Sequence, residues 1–127
     1  MKLETVLAFH PHSKPFWEAA ECGRLLLPLC GDCGKSHWYP RPFCPHCHGF
    51  GLTWKEAAGE GTIYASTLMR RANEPYIVAA VELDEGPVML TNIVTPDFSQ
   101  AGIGARVKVG FDYIGGSDRK LPVFHPI

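Results

Sequence analysis

Cys30-Gly-Asp-Cys33 and Cys44-Pro-His-Cys47 are two like steps separated by ten residues, and four thiols so spaced can enclose one metal ion. Each pair places two thiolates on the ion through a tight knuckle turn. The ten-residue arm is long enough to bring the second pair round to complete a tetrahedron. Gly34 follows the first knuckle where a positive φ is useful, and Pro45 stiffens the second. The spacing therefore predicts a structural zinc site on Cys30, Cys33, Cys44 and Cys47. Four thiolates fill a tetrahedral shell, so no position is left for a catalytic water. An iron tetrathiolate uses similar knuckles and would make the chain an electron carrier; the cysteines alone leave that alternative open. A thioredoxin-type dithiol would leave the second pair unexplained. His37, His46 and His48 read as exposed loop residues rather than ligands, and Cys22 as a small buried residue of a helix.

Other chemistry is sparse. With four cysteines assigned to metal, the sequence offers no Ser-His-Asp or Cys-His constellation, no paired catalytic carboxylates and no phosphate-binding glycine loop. Glu18, Glu56, Glu82 and Asp84 are scattered through surface-like contexts and read as solvated. Twelve basic against thirteen acidic residues give a formal net charge of −1, which leaves no electrostatic footprint for nucleic acid. A hydrophobic content of 46% is that of a globular chain. The apolar stretch Val6 to Phe9 is too short for a signal peptide, and no run of about twenty apolar residues is present to span a membrane. Thiols held as metal ligands suit a reducing compartment, so a soluble cytoplasmic protein is expected.

The elements that must carry these residues fall into three zones: an arm and docking helix over 1–23, a metal ribbon over 24–55, and a barrel with a C-terminal tail over 56–127. Residues 1–12 show no strong period. Ser13 can serve as an N-cap, Pro15 is tolerated in a first turn, and a short helix is predicted from Lys14 to Cys22 with Gly23 as its stop. So short a helix must dock on something, with Phe16 and Trp17 as anchors against either its own domain or a partner. Arg24 to Pro28 reads as a strand into the first knuckle, and the prolines of Trp38-Tyr39-Pro40-Arg41-Pro42 keep the intervening loop extended. Leu52 and Trp54 close the ribbon. At 127 residues the chain can hold such a metal-stabilised module beside one compact barrel.

Beyond Gly59 strands and turns are expected throughout. Gly61 to Met69 is rich in β-formers, Ala72-Asn73-Glu74-Pro75 is a turn cluster, and Tyr76 to Leu83 is apolar at nearly every position, as if covered on both sides. Asp84-Glu85-Gly86-Pro87 turns the chain into Val88 to Val94. Thr95-Pro96-Asp97 can cap a helical turn reaching Gln100. Val107, Val109 and Phe111 alternate with Arg106, Lys108 and Asp112, and Leu121 to Phe124 gives a last extended piece. Five strands with a helical turn before the fourth predict a mainly β chain ending in a small Greek-key barrel of the OB type, with an SH3-like barrel as the rival.

In this order the residues resemble a known family. The helix with Phe16-Trp17, Leu25, the first CxxC, Tyr39-Pro40-Arg41 and CPxC are followed by Gly59-x-Gly61-Thr62-Ile63-Tyr64, Val81 to Pro87, Leu90 to Val94, and Leu121-Pro122-x-Phe124. From about residue 14 onward this is similar to the acyl-CoA-associated OB-fold proteins with an N-terminal rubredoxin-like zinc ribbon, the family of domain of unknown function 35. One departure is that a single proline precedes Arg41, where the family often has two. The resemblance implies a non-catalytic subunit that associates with a larger enzyme: thiolase-like, a lipid-transfer-protein-type aldolase or thiolase, or a hot-dog-fold enoyl-CoA hydratase. It further implies that the subunit helps form the partner's acyl-CoA site. CoA carries phosphates and a purine face, so arginines beside aromatics are the candidate contacts: Arg41 with Trp38 and Tyr39, and Arg70 with Arg71. Phe16, Trp17 and the apolar tail from Pro122 to Ile127, with Phe124, are the candidate partner contacts. Single-stranded nucleic-acid binding, which both ribbons and OB barrels can perform, is the competing function.

Overall fold

The computed structural model describes residues 7–71, 73–113 and 119–127. The chain divides into two compact units, residues 1–58 with 111–121, and residues 59–110 with 122–127. Among the expectations above, those placed on residues 1–6 of the arm and on Ala72 lie outside the described residues.

In the first unit residues 7–9 are helical, and a 3-10 turn, Pro11–Ser13, then runs directly into helix α1, Lys14–Glu21. Because the chain is already turning, Ser13 has helical backbone angles and its side chain caps nothing, contrary to the expected N-cap. Its buried hydroxyl instead donates to the His10 carbonyl at 2.6 Å and accepts from the Trp17 indole N–H at 3.1 Å. Phe16, Ala19 and Ala20 recur at helical spacing and form the buried stripe. Gly23 ends the helix at φ +77°, where a side chain would be strained, and its amide bonds back to the Ala20 carbonyl. Cys22 at the C-cap is exposed, not buried as expected, because it lies beyond the buried stripe.

Strands β1, Leu26–Cys30, and β2, Leu52–Glu56, pair antiparallel from Leu26 opposite Glu56 to Cys30 opposite Leu52. The first strand thus begins and ends two residues later than the sequence suggests. Its last residue is itself the first cysteine of the quartet. Residues 119–121 belong to this unit: the Arg119 guanidinium and the Lys120 amide both reach the Glu21 carboxylate, at 3.5 and 3.2 Å.

The barrel consists of β3 (Glu60–Met69), β4 (Tyr76–Leu83), β5 (Val88–Ile93), β6 (Arg106–Asp112) and β7 (Leu121–Pro126), closed in the order β3-β4-β5-β7-β6. β3 pairs antiparallel with β4 and β6, and β4 with β5, whereas β5 and β7 are parallel, and the result is an OB-type barrel. Ten residues of β3 serve two neighbours, with a register shift between Ile63 and Ala65 that lets the strand bend. Ile63, Val81, Leu83, Val107, Val123 and Phe124 fill the interior. In β4 the inward Ile77, Ala79, Val81 and Leu83 alternate with a partly open outer face, so the strand is covered on one side only. Its apolar run reflects small outer residues, Val78 and Ala80, rather than a second layer.

Gly61 marks a close approach: a Cβ there would stand 2.5 Å from the Glu82 carbonyl oxygen and 2.7 Å from Val81 Cγ1. Before β6 a 3-10 turn, Phe98–Ala101, is capped by Asp97, whose carboxylate accepts from the Ser99 amide at 3.0 Å. Asp84 and Arg106 form a two-pronged ion pair at 2.8 and 3.0 Å.

Candidate metal centre and aromatic groove

The two knuckles are built alike. In the first, the Gly34 amide donates to the Cys30 carbonyl at 2.8 Å; in the second, the His48 amide donates to the Cys44 carbonyl at the same distance. The residue after each second cysteine takes a left-handed conformation, Gly34 at φ +75° and His48 at φ +64°. Glycine suits this position, whereas a side chain at His48 carries a steric cost. The four Sγ atoms lie within 4.8 Å of one another, with Cys30 to Cys47 at 3.6 Å and Cys33 to Cys44 at 3.7 Å. A tetrahedral ion with metal–sulfur bonds of about 2.3 Å requires edges of about 3.8 Å. The quartet therefore fits a structural metal ion, and among the described residues it is the only group of three or more ligand side chains brought together.

Electrostatics point the same way. Burial would raise the Cys44 thiol, but the backbone amides of Cys47 and His46 and the thiols of Cys33 and Cys47 outweigh it and bring the pKa down to about 7. At Cys47 the Gly49 amide pulls downward, yet the Cys30 thiol, burial and the remaining thiols push the pKa up to about 12. Thiols this close cannot all ionise against one another. A divalent cation bound by the four thiolates would remove that conflict and fill the tetrahedral shell.

The neighbouring histidines stay outside the quartet. His46 is exposed, and its ring Nε2 lies 3.3 Å from the Ser36 carbonyl; His48 meets Phe43 edge-on with ring centres 6.3 Å apart. His37 departs from the expectation of an exposed loop residue: it is 4% exposed, with no hydrogen-bond partner among the described residues at either ring nitrogen. Burial, with His46 and the Arg41 guanidinium nearby, lowers its pKa, so the ring is held neutral. Its position between Ser36 and Trp38, at the bridge from Leu29 to Ser36, draws it inward, and no spacing in the sequence signals this.

The aromatic residues sort differently from their order in the chain. Trp38 packs on Phe16 with ring centres 4.5 Å apart, and Tyr39 lies against Trp38 at 5.1 Å and His10 at 5.4 Å. Phe16 is fully buried there, and Phe124 is fully buried inside the barrel, so neither ring has surface left for a partner. The partner contact expected of those two is withdrawn, because each is needed by its own core. Trp17 remains half-buried.

The groove on which Arg41 lies is lined by neither Trp38 nor Tyr39, contrary to the expected grouping of the three. Arg41 shares this groove of about 270 Å³ with His12, Phe50 and Trp54. The β1–β2 register, which sets Pro28 opposite Trp54, builds its floor, and the sequence had not connected Trp54 or Phe50 with Arg41. Arg70 and Arg71 belong to the barrel, where they are exposed at the end of β3 and line an open pocket of about 480 Å³ with Leu68, Met69 and Tyr76.

Comparison with known proteins follows this division. A family model described as the ChsH2 rubredoxin-like zinc ribbon domain matches residues 17–53, and one described as the ChsH2 C-terminal OB-fold domain matches residues 54–112. The chain belongs to this ribbon and OB-fold family, known as DUF35. Its relatives include a protein of Thermomonospora curvata named a probable enoyl-CoA hydratase alpha subunit, 37% identical over 120 residues. That match covers 87% of the present chain but only 36% of the relative, so this DUF35 chain spans about a third of that protein's length. A DUF35 domain-containing scaffold protein of Methanothermobacter thermautotrophicus is 32% identical, covering 65% of this chain and 67% of that one. Among solved structures, one described as the Ltp2-ChsH2(DUF35) aldolase superposes with a TM-score of 0.78 at 33% identity, covering 91% of this chain and 94% of that one. A DUF35 protein of unknown function from Sulfolobus solfataricus, at 17% identity and a TM-score of 0.63, shares the fold, covering 78% of this chain and 77% of that one.

Proposed function

We propose that this chain is a non-catalytic accessory subunit of an acyl-CoA-processing enzyme. It docks on a larger partner of the thiolase-like, aldolase or enoyl-CoA hydratase kind and helps form that partner's acyl-CoA site. The observation that carries this is the likeness, over nearly the full length of both chains, to a DUF35 chain solved as part of an aldolase. Relatives named as a hydratase subunit and as scaffold proteins support it. The metal is zinc, held as a structural tetrathiolate, and iron is the alternative. The work is cytoplasmic, in keeping with reduced thiols, and among the described residues no helix is long and apolar enough to cross a membrane. Trp17, half-buried on α1, is the candidate partner contact, and Arg41, Arg70 and Arg71 are the candidate contacts to CoA.

The test is isolation of the tagged chain at native expression levels. The expected result is a stoichiometric larger subunit, colourless material with one zinc per chain, and weak retention on heparin. Recovery of the chain without an enzyme subunit, together with tight and steeply salt-dependent binding to single-stranded oligonucleotides, would overturn the reading.

A further inference from the structure

Arg41 differs from the arginines that serve the fold. Among the described residues Arg24, Arg106 and Arg119 each pair with a carboxylate, of Glu56, Asp84 and Glu21 respectively. Arg41 makes no hydrogen bond or ion pair with a described residue, and it is exposed on a groove that no acidic side chain lines. Its backbone is nevertheless held in place. Pro40 and Pro42 flank it and fix their own φ angles, Pro40 is fully buried, and the Pro40 carbonyl lies 2.6 Å from the His12 ring Nε2.

An unpaired guanidinium on a fixed loop offers a fork of donors suited to a phosphate or a carboxylate. Two rings share its groove. Trp54 is half-buried on β2 opposite Pro28, and Phe50 is 81% exposed, so its face is open. An arginine fork between aromatic faces favours a ligand that is both anionic and planar, which is the chemistry of a nucleotide. The groove, at about 270 Å³, falls just under the roughly 300–1,000 Å³ of sites that enclose whole drug-sized ligands. It can take one end of a long molecule and not the whole.

We infer that this groove is the subsite for the phosphorylated adenosine end of the CoA thioester, with Arg41 on a phosphate and Trp54 and Phe50 against the purine. The inference rests on the acyl-CoA reading above and narrows it to one part of the ligand. It also assigns Phe50 and Trp54 the stacking role that the order of residues had given to Trp38 and Tyr39, whose rings are engaged with Phe16 and His10. The pantetheine arm then leaves the groove toward the enzyme that performs the chemistry.

Two measurements test it, one of which needs no partner. In the full chain, titration with adenosine 3′,5′-bisphosphate should shift the Trp54 indole resonance, and Arg41→Ala should abolish the shift while the other two indole resonances stay in place. An unshifted Trp54 at millimolar nucleotide overturns the inference and leaves the subunit reading untouched. In the complex with its enzyme, Arg41→Ala and Trp54→Leu should each raise KM for the acyl-CoA roughly ten- to hundred-fold, as loss of a charged hydrogen bond or a stacked base allows. Neither should change KM for the corresponding acyl-pantetheine, which lacks the nucleotide, and kcat should hold. Arg41→Lys should recover part of the loss. Equal effects on both substrates, or none on either, would show that the groove does not hold the nucleotide, even in a complex that assembles normally.

Discussion

Removal of the metal is the perturbation whose consequence the structure defines most closely. Cys44→Ser takes out a fully buried ligand whose sulfur lies 3.7 Å from Cys33, whose carbonyl holds the second knuckle and whose amide bonds to the Gly49 carbonyl. A structural site of this kind contributes apparent folding free energy of about 10 kcal/mol. A domain is stable by only about 5–15 kcal/mol in total, so the ribbon cannot survive the loss. The reporters are already in place. The chain has three tryptophans, Trp17, Trp38 and Trp54, and all lie in the first unit. Tyr64 and Tyr76 lie in the second.

Chelation of the wild type, or the Cys44→Ser substitution, should therefore shift tryptophan emission to the red and release or omit one metal ion per chain. The β-sheet far-ultraviolet signal of the barrel should persist in large part. Emission unchanged after the metal has been shown to leave would refute the argument, since the quartet would then be a passenger on a ribbon held by its own packing. Loss of both signals together would refute the narrower claim that the metal stabilises the ribbon alone.

Further outcomes follow from single positions. Gly61→Ala should destabilise the barrel by about 3 kcal/mol or more, at the top of the range for overpacking, because the new methyl meets the Glu82 carbonyl and not a movable side-chain end; Gly86→Ala, with open space around it but φ +112°, is strained by its backbone alone, and urea melts compare the two. His48→Gly should stabilise the ribbon by about 1 kcal/mol by relieving the left-handed strain at φ +64°, read as slower metal release to a competing chelator. His37 is held neutral, with a folded pKa below its ordinary 6.5, so the unfolded chain binds the extra proton and stability falls as pH drops through 6.5 toward the folded value. His37→Leu should flatten that part of the pH profile above the pH at which metal is lost. An unchanged slope as pH falls below about 6.5 would count against a buried neutral ring.

The cysteine spacing carried the ribbon into view because metal ligation demands fixed residue types at fixed intervals. The barrel strand with Val107 was legible for a related reason, since alternation between Arg106, Val107 and Lys108 is a local consequence of facing water on one side. What escaped was decided by partners distant in sequence. Phe16 could not be told from a docking residue without knowing that Trp38 would close over it. Trp54 could not be joined to Arg41 until the β1–β2 register put it across from Pro28. Ser13 carried every local mark of an N-cap, yet the preceding turn had already committed its backbone to the helix. Local chemistry is written in order along the chain, whereas a groove is written in register.

The division into units has a practical consequence. Residues 111–121 run from the end of β6 to the start of β7, yet they group with the first unit, where Arg119 and Lys120 meet Glu21 of α1. The polypeptide therefore changes unit three times, after residues 58, 110 and 121, although each unit is compact. A gene fragment cut after residue 58 would encode a ribbon missing a piece of itself, and the remaining fragment would carry that piece with nothing to meet. A cut at any single point in the chain therefore separates neither module cleanly from the other.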